Sequence, residues 1–355
     1  MTDEGRGSLA LSRARKILVV GARGGVGKST IASQLAFGLA AAGKRVGVLD
    51  ADVGGPSAPM MLGLASGKIR LLREGWAPVT SPDGALACVS TGNMQADDAD
   101  GAAIVWRGPR KNGLIKQFLR ETSWGGERGE LDYLIVDTPP GVSEEMLSAV
   151  QLLHGTGGID GAVLVTSSQP SVVADTRRHA GVCRKLNVPL LGVVENMSSM
   201  RIPLVEMLSM LEVDGHPEAI RVLVDAAKSA GIDSAVVGLP LFSAAGTPSA
   251  ARAMAEALAT PFLGAVPFDP KLHEAAQSGA RLLDASPRSP AAVASDAVVQ
   301  GGALSRAPLP LPSLSKTLSR FSNLTDPFSL RWDTRAALLT AIDAAGTNKT
   351  PAAVE

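Results

Sequence analysis

The sequence predicts a doubly wound α/β domain with a mostly parallel sheet over about residues 15–285, and three observations lead there. Short runs of consecutive apolar residues, rich in Val, Ile and Leu, recur along the chain instead of alternating with polar ones. Such runs mark strands covered on both faces. Helical stretches separate them. The first run also passes directly into a glycine-rich turn and a helix start at Gly21–Thr30.

In chain order, residues 1–14 are polar and contain Gly, Ser and Arg, which predicts a flexible tail. Strands are expected at Lys16–Val20, Arg45–Leu49, Leu86–Ser90, Ala103–Trp106, Tyr133–Val136, Ala162–Thr166, Leu190–Val194 and Phe262–Val266. Helices are expected at Ser29–Ala42 and Val173–Leu186. Residues 201–241 break the rhythm with a Met/Leu-rich stretch, Leu204 to Leu211, and a helical pattern at Pro217–Ala230. From 286 to 355, Pro, Ser and Ala dominate, which predicts a disordered low-complexity tail. Within it, Ser329–Ala345 has the pattern of an amphipathic helix carrying Trp332, Leu338, Leu339 and Ile342.

Composition narrows the function classes. Of 355 residues, 45% are apolar and 19% charged, enough for a sizeable core. The 34 basic and 34 acidic residues cancel, so no global field favours nucleic acid or an anionic membrane. Two cysteines, Cys88 and Cys183, do not make a disulfide framework, and a reducing compartment is expected. The start Met1-Thr2-Asp3-Glu4 is acidic and lacks an apolar stretch, against a secretory signal or mitochondrial presequence. No apolar run approaches the ~20 residues of a membrane span. The expected location is the cytoplasm.

The strongest local signal is Ile17 to Thr30, a buried strand, a glycine turn and a helix opening at Ser29. Glycines let successive backbone N–H groups curl around phosphate oxygens, and the helix N-terminus adds its positive dipole end. Residues Ala22, Arg23, Gly24, Gly25, Val26, Gly27, Lys28, Ser29 and Thr30 are therefore the expected nucleotide contacts, with ATP and Mg²⁺ as ligands. Lys28 is placed on the β- and γ-phosphates and the Ser29 hydroxyl on Mg²⁺. The strict pattern wants glycine at 22, and alanine serves there if its φ is negative. A metal and a water-activating group should lie at neighbouring strand ends. Asp50 and Asp52 follow one strand and Asp137 ends another. Asp50 and Asp137 are expected to hold Mg²⁺ directly or through water, and Asp52 to orient the attacking water.

These motifs together resemble the Mrp family of P-loop ATPases, within the group that includes MinD, ParA and the nitrogenase iron protein. The deviant loop reads Arg23-Gly24-Gly25-Val26-Gly27-Lys28-Ser29. Asp50 to Ser57, Pro59 and Met61-Leu62-Gly63 match a second family segment, Trp106 to Pro109 a third, and Leu131 to Gly141 a fourth. Gly192 to Ser198 and Phe262 to Pro267 complete the set, so the resemblance covers about Lys16 to Leu283. Asp137 to Glu145 and Val182 to Leu186 lean towards cytosolic iron–sulfur cluster assembly factors, and the absence of a cysteine-rich N-terminal extension towards the smaller of the two.

The resemblance implies a MinD/Mrp-like P-loop NTPase fold and an ATP-hydrolysing scaffold or carrier. It would act as a homodimer or as a heterotetramer with a larger homologous scaffold ATPase, passing a 4Fe-4S cluster to apo iron–sulfur proteins. It further implies Asn196 on the adenine and Arg23, in place of the family lysine, reaching across a dimer to the partner's nucleotide. One family feature is missing. After Asn196-Met197-Ser198 the family has Cys-Pro-x-Cys, whereas this chain continues Ser199-Met200-Arg201-Ile202-Pro203. Iron–sulfur clusters require thiolates, and no residue here takes over the family's cluster ligands. The histidines at 154, 179, 216 and 273 are scattered. Two other readings remain open at this stage. One is a non-catalytic nucleotide-binding regulatory subunit. The other is a MinD/ParA-like positioning ATPase whose surface contact is Ser329–Ala345.

Overall fold

In the computed structural model, the described residues are 11–72, 75–94, 108–125, 131–211, 218–233, 235–242, 249–287 and 289–300. The chain runs through β1 (Arg15–Val20), α1 (Lys28–Ala41), β2 (Val46–Asp50), α2 (Ala58–Met61), β3 (Arg70–Leu72), β4 (Gly75–Ala77), β5 (Val79–Thr80) and β6 (Leu86–Val89). It continues with α3 (Gly108–Glu121), β7 (Tyr133–Asp137), α4 (Glu144–Gly155), β8 (Gly161–Thr166), α5 (Pro170–Lys185) and β9 (Leu190–Pro203). Then come α6 (Leu204–Ser209), α7 (Glu218–Ser229), β10 (Val236–Pro240), α8 (Ala250–Ala257), β11 (Phe262–Phe268), α9 (Pro270–Ser278), α10 (Leu282–Ala285) and α11 (Pro290–Gln300).

Nine strands form one sheet in the order β10-β9-β8-β1-β7-β2-β6-β5, with β11 also on β9. The β6-β2-β7-β1-β8-β9 pairings and β9-β11 are parallel, and β5 is antiparallel to β6. The continuous apolar strands are explained by two cores. Leu18, Val20, Leu134 and Val136 face one, and Ile17, Val19, Ile135 and Val163 face the other. Each strand thus feeds both sides in turn, as a doubly wound sheet requires. The two cysteines are buried on opposite sides, Cys183 in the first core and Cys88 in the second.

Several boundaries differ from expectation. The tail expected at 1–14 ends earlier: residues 11–13 are helical and Leu11 is fully buried, while 1–10 lie outside the described residues. The tail expected from 286 begins instead with a folded helix, α11. Ser289 caps it by accepting from the Ala292 N–H at 3.2 Å, and Pro290 occupies its first turn. Ala291, Ala292 and Val298 sink into the second core. Gly38 of α1 makes room for it, since a Cβ there would lie 2.6 Å from Val299 Cγ2. The Ser/Pro run was a helix start and not a sign of disorder. The strand expected at Ala103–Trp106 and the helix at Ser329–Ala345 lie outside the described residues.

Residues 202–237 form a second compact unit. Leu204 and Leu208 of α6 pack with Ala227 of α7 and with Met207, Val224, Ile232, Ala235 and Val237 around them. The Leu204 N–H donates to the Ala235 carbonyl at 2.8 Å, closing the base of the hairpin. Helix α7 turns Ile220, Val224 and Ala227 inward at i, i+4 and i+7 spacing and leaves Val222 and Leu223 exposed.

Candidate functional site

The site forms where the strand order reverses around β1, at the carboxyl ends of β1, β7 and β2. Pairing register fixes its acids. Val19 is opposite Asp137, and Asp137 is opposite Asp50. Neighbouring parallel strands therefore present the two carboxylates side by side beneath the glycine turn.

The turn has the backbone a phosphate cradle needs. Gly25 and Gly27 have φ of 77° and 92°, a region open to glycine at no cost. Gly27 precedes α1 as its N-cap with no side-chain cap, leaving its first amides for another acceptor. Ala22 is absent from the residues with positive φ, so alanine fits in place of the consensus glycine. Gly21 lets the stem of Lys28 lie against the backbone, since a Cβ there would sit 2.8 Å from Lys28 Cγ.

Lys28 is buried and its ammonium donates to the Arg23 carbonyl at 3.3 Å. Burial lowers its pKa, while Asp137 and Asp52 oppose the shift. Asp137 is 1% exposed and its carboxylate oxygens make no hydrogen bond of full geometry, although the Ser29 hydroxyl lies close enough to favour the charged form. Burial first, then the charge of Asp50, raises its pKa to about 8, and Ser29 and Lys28 counter part of the rise. A buried carboxylate with two open oxygens beside a serine hydroxyl suits a hard cation. Among the described residues, no group of three or more His, Cys, Asp or Glu side chains stands ready to hold a metal. A cation here would therefore draw further ligands from Ser29, a nucleotide and water.

Asp50, expected at the metal, is engaged otherwise. Its Oδ2 accepts from the Ser57 and Ala58 N–H groups at 3.0 and 3.1 Å and from Ser90 Oγ at 3.0 Å; its Oδ1 accepts from Asp52 N–H at 3.1 Å. Burial raises its pKa to about 6 against these bonds. Four donors from the protein already occupy Asp50, so it anchors the loop, and of the two expected modes of holding Mg²⁺ this favours the one through water over direct ligation. Asp52 is half-buried, and its Oδ1 accepts from Gly55 N–H at 3.1 Å.

Asn196, expected on adenine, donates from Nδ2 to the Val26 carbonyl at 3.0 Å. A Cβ on Gly27 would lie 2.1 Å from that nitrogen. Asn196 therefore clamps the phosphate turn from β9. Arg23 is exposed and its Nε pairs with Asp175 Oδ2 of α5 at 2.6 Å, and Asp175 also pairs with Arg178. The structure brings Lys28, Ser29, Asp50, Asp52, Asp137 and Asn196 to one place, and holds Arg23 at its margin against α5.

Sequence reading missed Ser90, which follows β6 at the level of Asp50; only the β2–β6 register, Leu49 opposite Val89, would have shown it. It also missed Thr138, whose Oγ1 donates to the Val19 carbonyl at 2.8 Å and ties the β7 loop to β1. The thiols do not offer a metal site. Burial, then the charges of Asp50 and Asp137, raises the pKa of Cys88 well above that of a free thiol, and burial raises Cys183 to about 11.

This arrangement defines a nucleotide-binding protein of the P-loop NTPase class. The chain belongs to the ParA family, specifically the NUBPL iron-transfer P-loop NTPases, whose family model matches residues 12–220. Solved structures agree on the fold. A nucleotide-binding protein of Archaeoglobus fulgidus in complex with ADP is 27% identical, covers 81% of this chain and 94% of its own, and superposes with a TM-score of 0.57. The cell-division ATPase MinD of Pyrococcus furiosus shares 19% identity over 81% of this chain and 97% of its own, with a TM-score of 0.51. MinD of Pyrococcus horikoshii, complexed with Mg-ADP, gives 21%, 81%, 95% and 0.51. Among the described residues, no helix is long and apolar enough to cross a membrane.

Proposed function

We propose that the chain binds ATP–Mg²⁺ at Gly24–Thr30, hydrolyses it, and uses the cycle in iron–sulfur cluster assembly, passing clusters to apoproteins together with a larger homologous scaffold. The observation that carries the nucleotide half is the open, buried Asp137 carboxylate beside Lys28 and Ser29. The iron–sulfur half is supported by the family match.

In this reading the amides of Gly24–Gly27 and the start of α1 receive the phosphates. Lys28 leaves the Arg23 carbonyl for phosphate oxygens, a charge-assisted bond stronger than the one it gives up. Ser29 and Asp137 would hold Mg²⁺, which would supply neutralisation of the phosphate charge. Asp137 must first release its proton, so affinity for the metal complex rises with pH towards about 8. Asp52 orients the attacking water from a loop that Asp50 fixes. Asn196 uses its remaining amide hydrogen for the adenine while keeping the turn in shape. Arg23, freed from Asp175, reaches the nucleotide of a second subunit.

With no thiolate pair after Ser198, any cluster is held by the partner. Anaerobic reconstitution with iron and sulfide tests this through bound iron and acid-labile sulfide. The expected result is no cluster on this chain alone and a stable cluster with the partner present. A cluster retained by the chain alone, and lost in Cys88→Ser/Cys183→Ser, contradicts it. The ATPase half fails if Lys28→Ala binds and hydrolyses ATP as the unaltered chain does.

A second reading, a nucleotide-binding subunit without turnover, is favoured by the Arg23–Asp175 pair, which holds Arg23 within its own chain. Release of phosphate from ATP decides between the two.

A further inference from the structure

We propose that Lys111 is a positioning residue that couples the two loops flanking the metal side of the site. The inference rests on the hydrolytic reading above. Lys111 lies on the first turn of α3, two residues beyond the family-like segment Trp106 to Pro109 and itself given no role by the sequence. Its ammonium is 3.5 Å from Glu145 Oε1, and the side chains are only 25% and 14% exposed, so the pair is partly shielded from water. Glu145 stands in the first turn of α4, which Ser143 caps by accepting from Met146 N–H. Helix α4 is the direct continuation of the loop that leaves Asp137.

The same ammonium sits against the other loop. A Cβ built on Gly54 would be 3.3 Å from Lys111 Nζ and 3.8 Å from Asp52 Oδ1. Gly54 lies inside the turn that Asp52 closes by accepting from Gly55 N–H. One cation, carried by a helix that belongs to neither loop, therefore pairs with the segment that follows Asp137 and lies close beside the one that carries Asp52. Loops of this kind rearrange around a γ-phosphate. A shift of the β7 loop would move Glu145, and through Lys111 the turn that aims Asp52. A lysine that merely fills space between α3 and α4 would need no such charge pairing.

Full-length Lys111→Met, Glu145→Gln, the double variant and the charge swap K111E/E145K test the coupling with two readouts. In steady-state turnover, each single variant lowers kcat about tenfold and leaves KM for ATP within about twofold. The double variant falls no further than the worse single, and the charge swap regains part of the loss. In amide exchange without nucleotide, Glu145→Gln accelerates residues 53–58 as much as Lys111→Met does, although Glu145 belongs to the other loop. Wild-type kcat in both singles, or losses that multiply in the double, overturn the coupling. Should the unaltered chain turn over no ATP, the hydrolytic reading fails by itself and exchange decides alone: unchanged exchange at 53–58 in Glu145→Gln then overturns the proposal.

Discussion

The phosphate turn and the segment after Ser198 are the two places where a nucleotide-driven cluster carrier needs its chemistry, and this chain treats them in opposite ways. The turn is preserved down to its backbone, with positive φ at Gly25 and Gly27 and an alanine at 22 that respects the required conformation. The other segment has no cysteine and is rebuilt as a strand extension and a helical hairpin with its own small core. Phosphate binding relies on main-chain amides, which many side chains permit. Cluster binding relies chiefly on thiolates, and this segment offers none. In the proposed reading, this chain keeps the nucleotide function and leaves the cluster to another chain.

The comparison breaks most sharply at Lys28. Lys28→Ala should weaken Mg-ATP binding by about 100-fold or more, as loss of a buried charge-assisted contact does. Isothermal calorimetry reads this directly. Gly27→Ala comes next, because φ of 92° and the Asn196 contact both resist a Cβ. It should lower stability by about 2–3 kcal/mol in denaturant titration and lose nucleotide binding with it.

Asp137→Asn sharpens the electrostatic side. The folded, nucleotide-free chain holds a proton on Asp137 that the unfolded chain gives up near its ordinary value of 3.8. Stability from this source is complete below that value and declines as pH rises through about 8. Thermal melts between about pH 5 and about pH 8 should show this fall in the free chain, its reversal by Mg-ATP, and a flatter profile in Asp137→Asn. Asp50 contributes in the same direction with its rise to about 6.

A smaller effect is expected at Gly38→Ala, about 1–3 kcal/mol, relieved by Val299→Ala, since the three atoms nearest the new Cβ all belong to the Val299 side chain. The smallest effect on nucleotide affinity should come from Leu208→Asp. It removes a core residue of the hairpin and should raise exchange in 204–211 and 218–229 while leaving the Kd for Mg-ATP within about twofold.

The central strands and the turn were legible because both signals are local: an unbroken apolar run means burial on two faces, and glycines before Lys28-Ser29 mean a phosphate cradle. Strands β3, β4, β5 and β10 escaped because they are short and exposed or only half-buried, so pairing and not hydrophobic pattern defines them. Strand β9 outran its expected end at Val194 because β11 pairs with it as far as Met200. Helix α11 was hidden by proline and serine that serve as its start. In the site, Lys28 could be placed from the glycine turn that leads into its helix, and Asp52 and Asp137 from positions at or just past strand ends. Asp50's use as an anchor, Asn196's clamp and Lys111's position depend on which strands and helices become neighbours. Those are tertiary facts that spacing along the chain does not carry.

The most direct test of the central claim is calorimetric titration of the full chain with ATP, with and without Mg²⁺, beside Lys28→Ala. The account predicts binding that strengthens with Mg²⁺ and is lost in the variant. Equal ATP affinity in both proteins, or affinity indifferent to Mg²⁺, would contradict the assignment of Gly24–Thr30 and Asp137 as the nucleotide site.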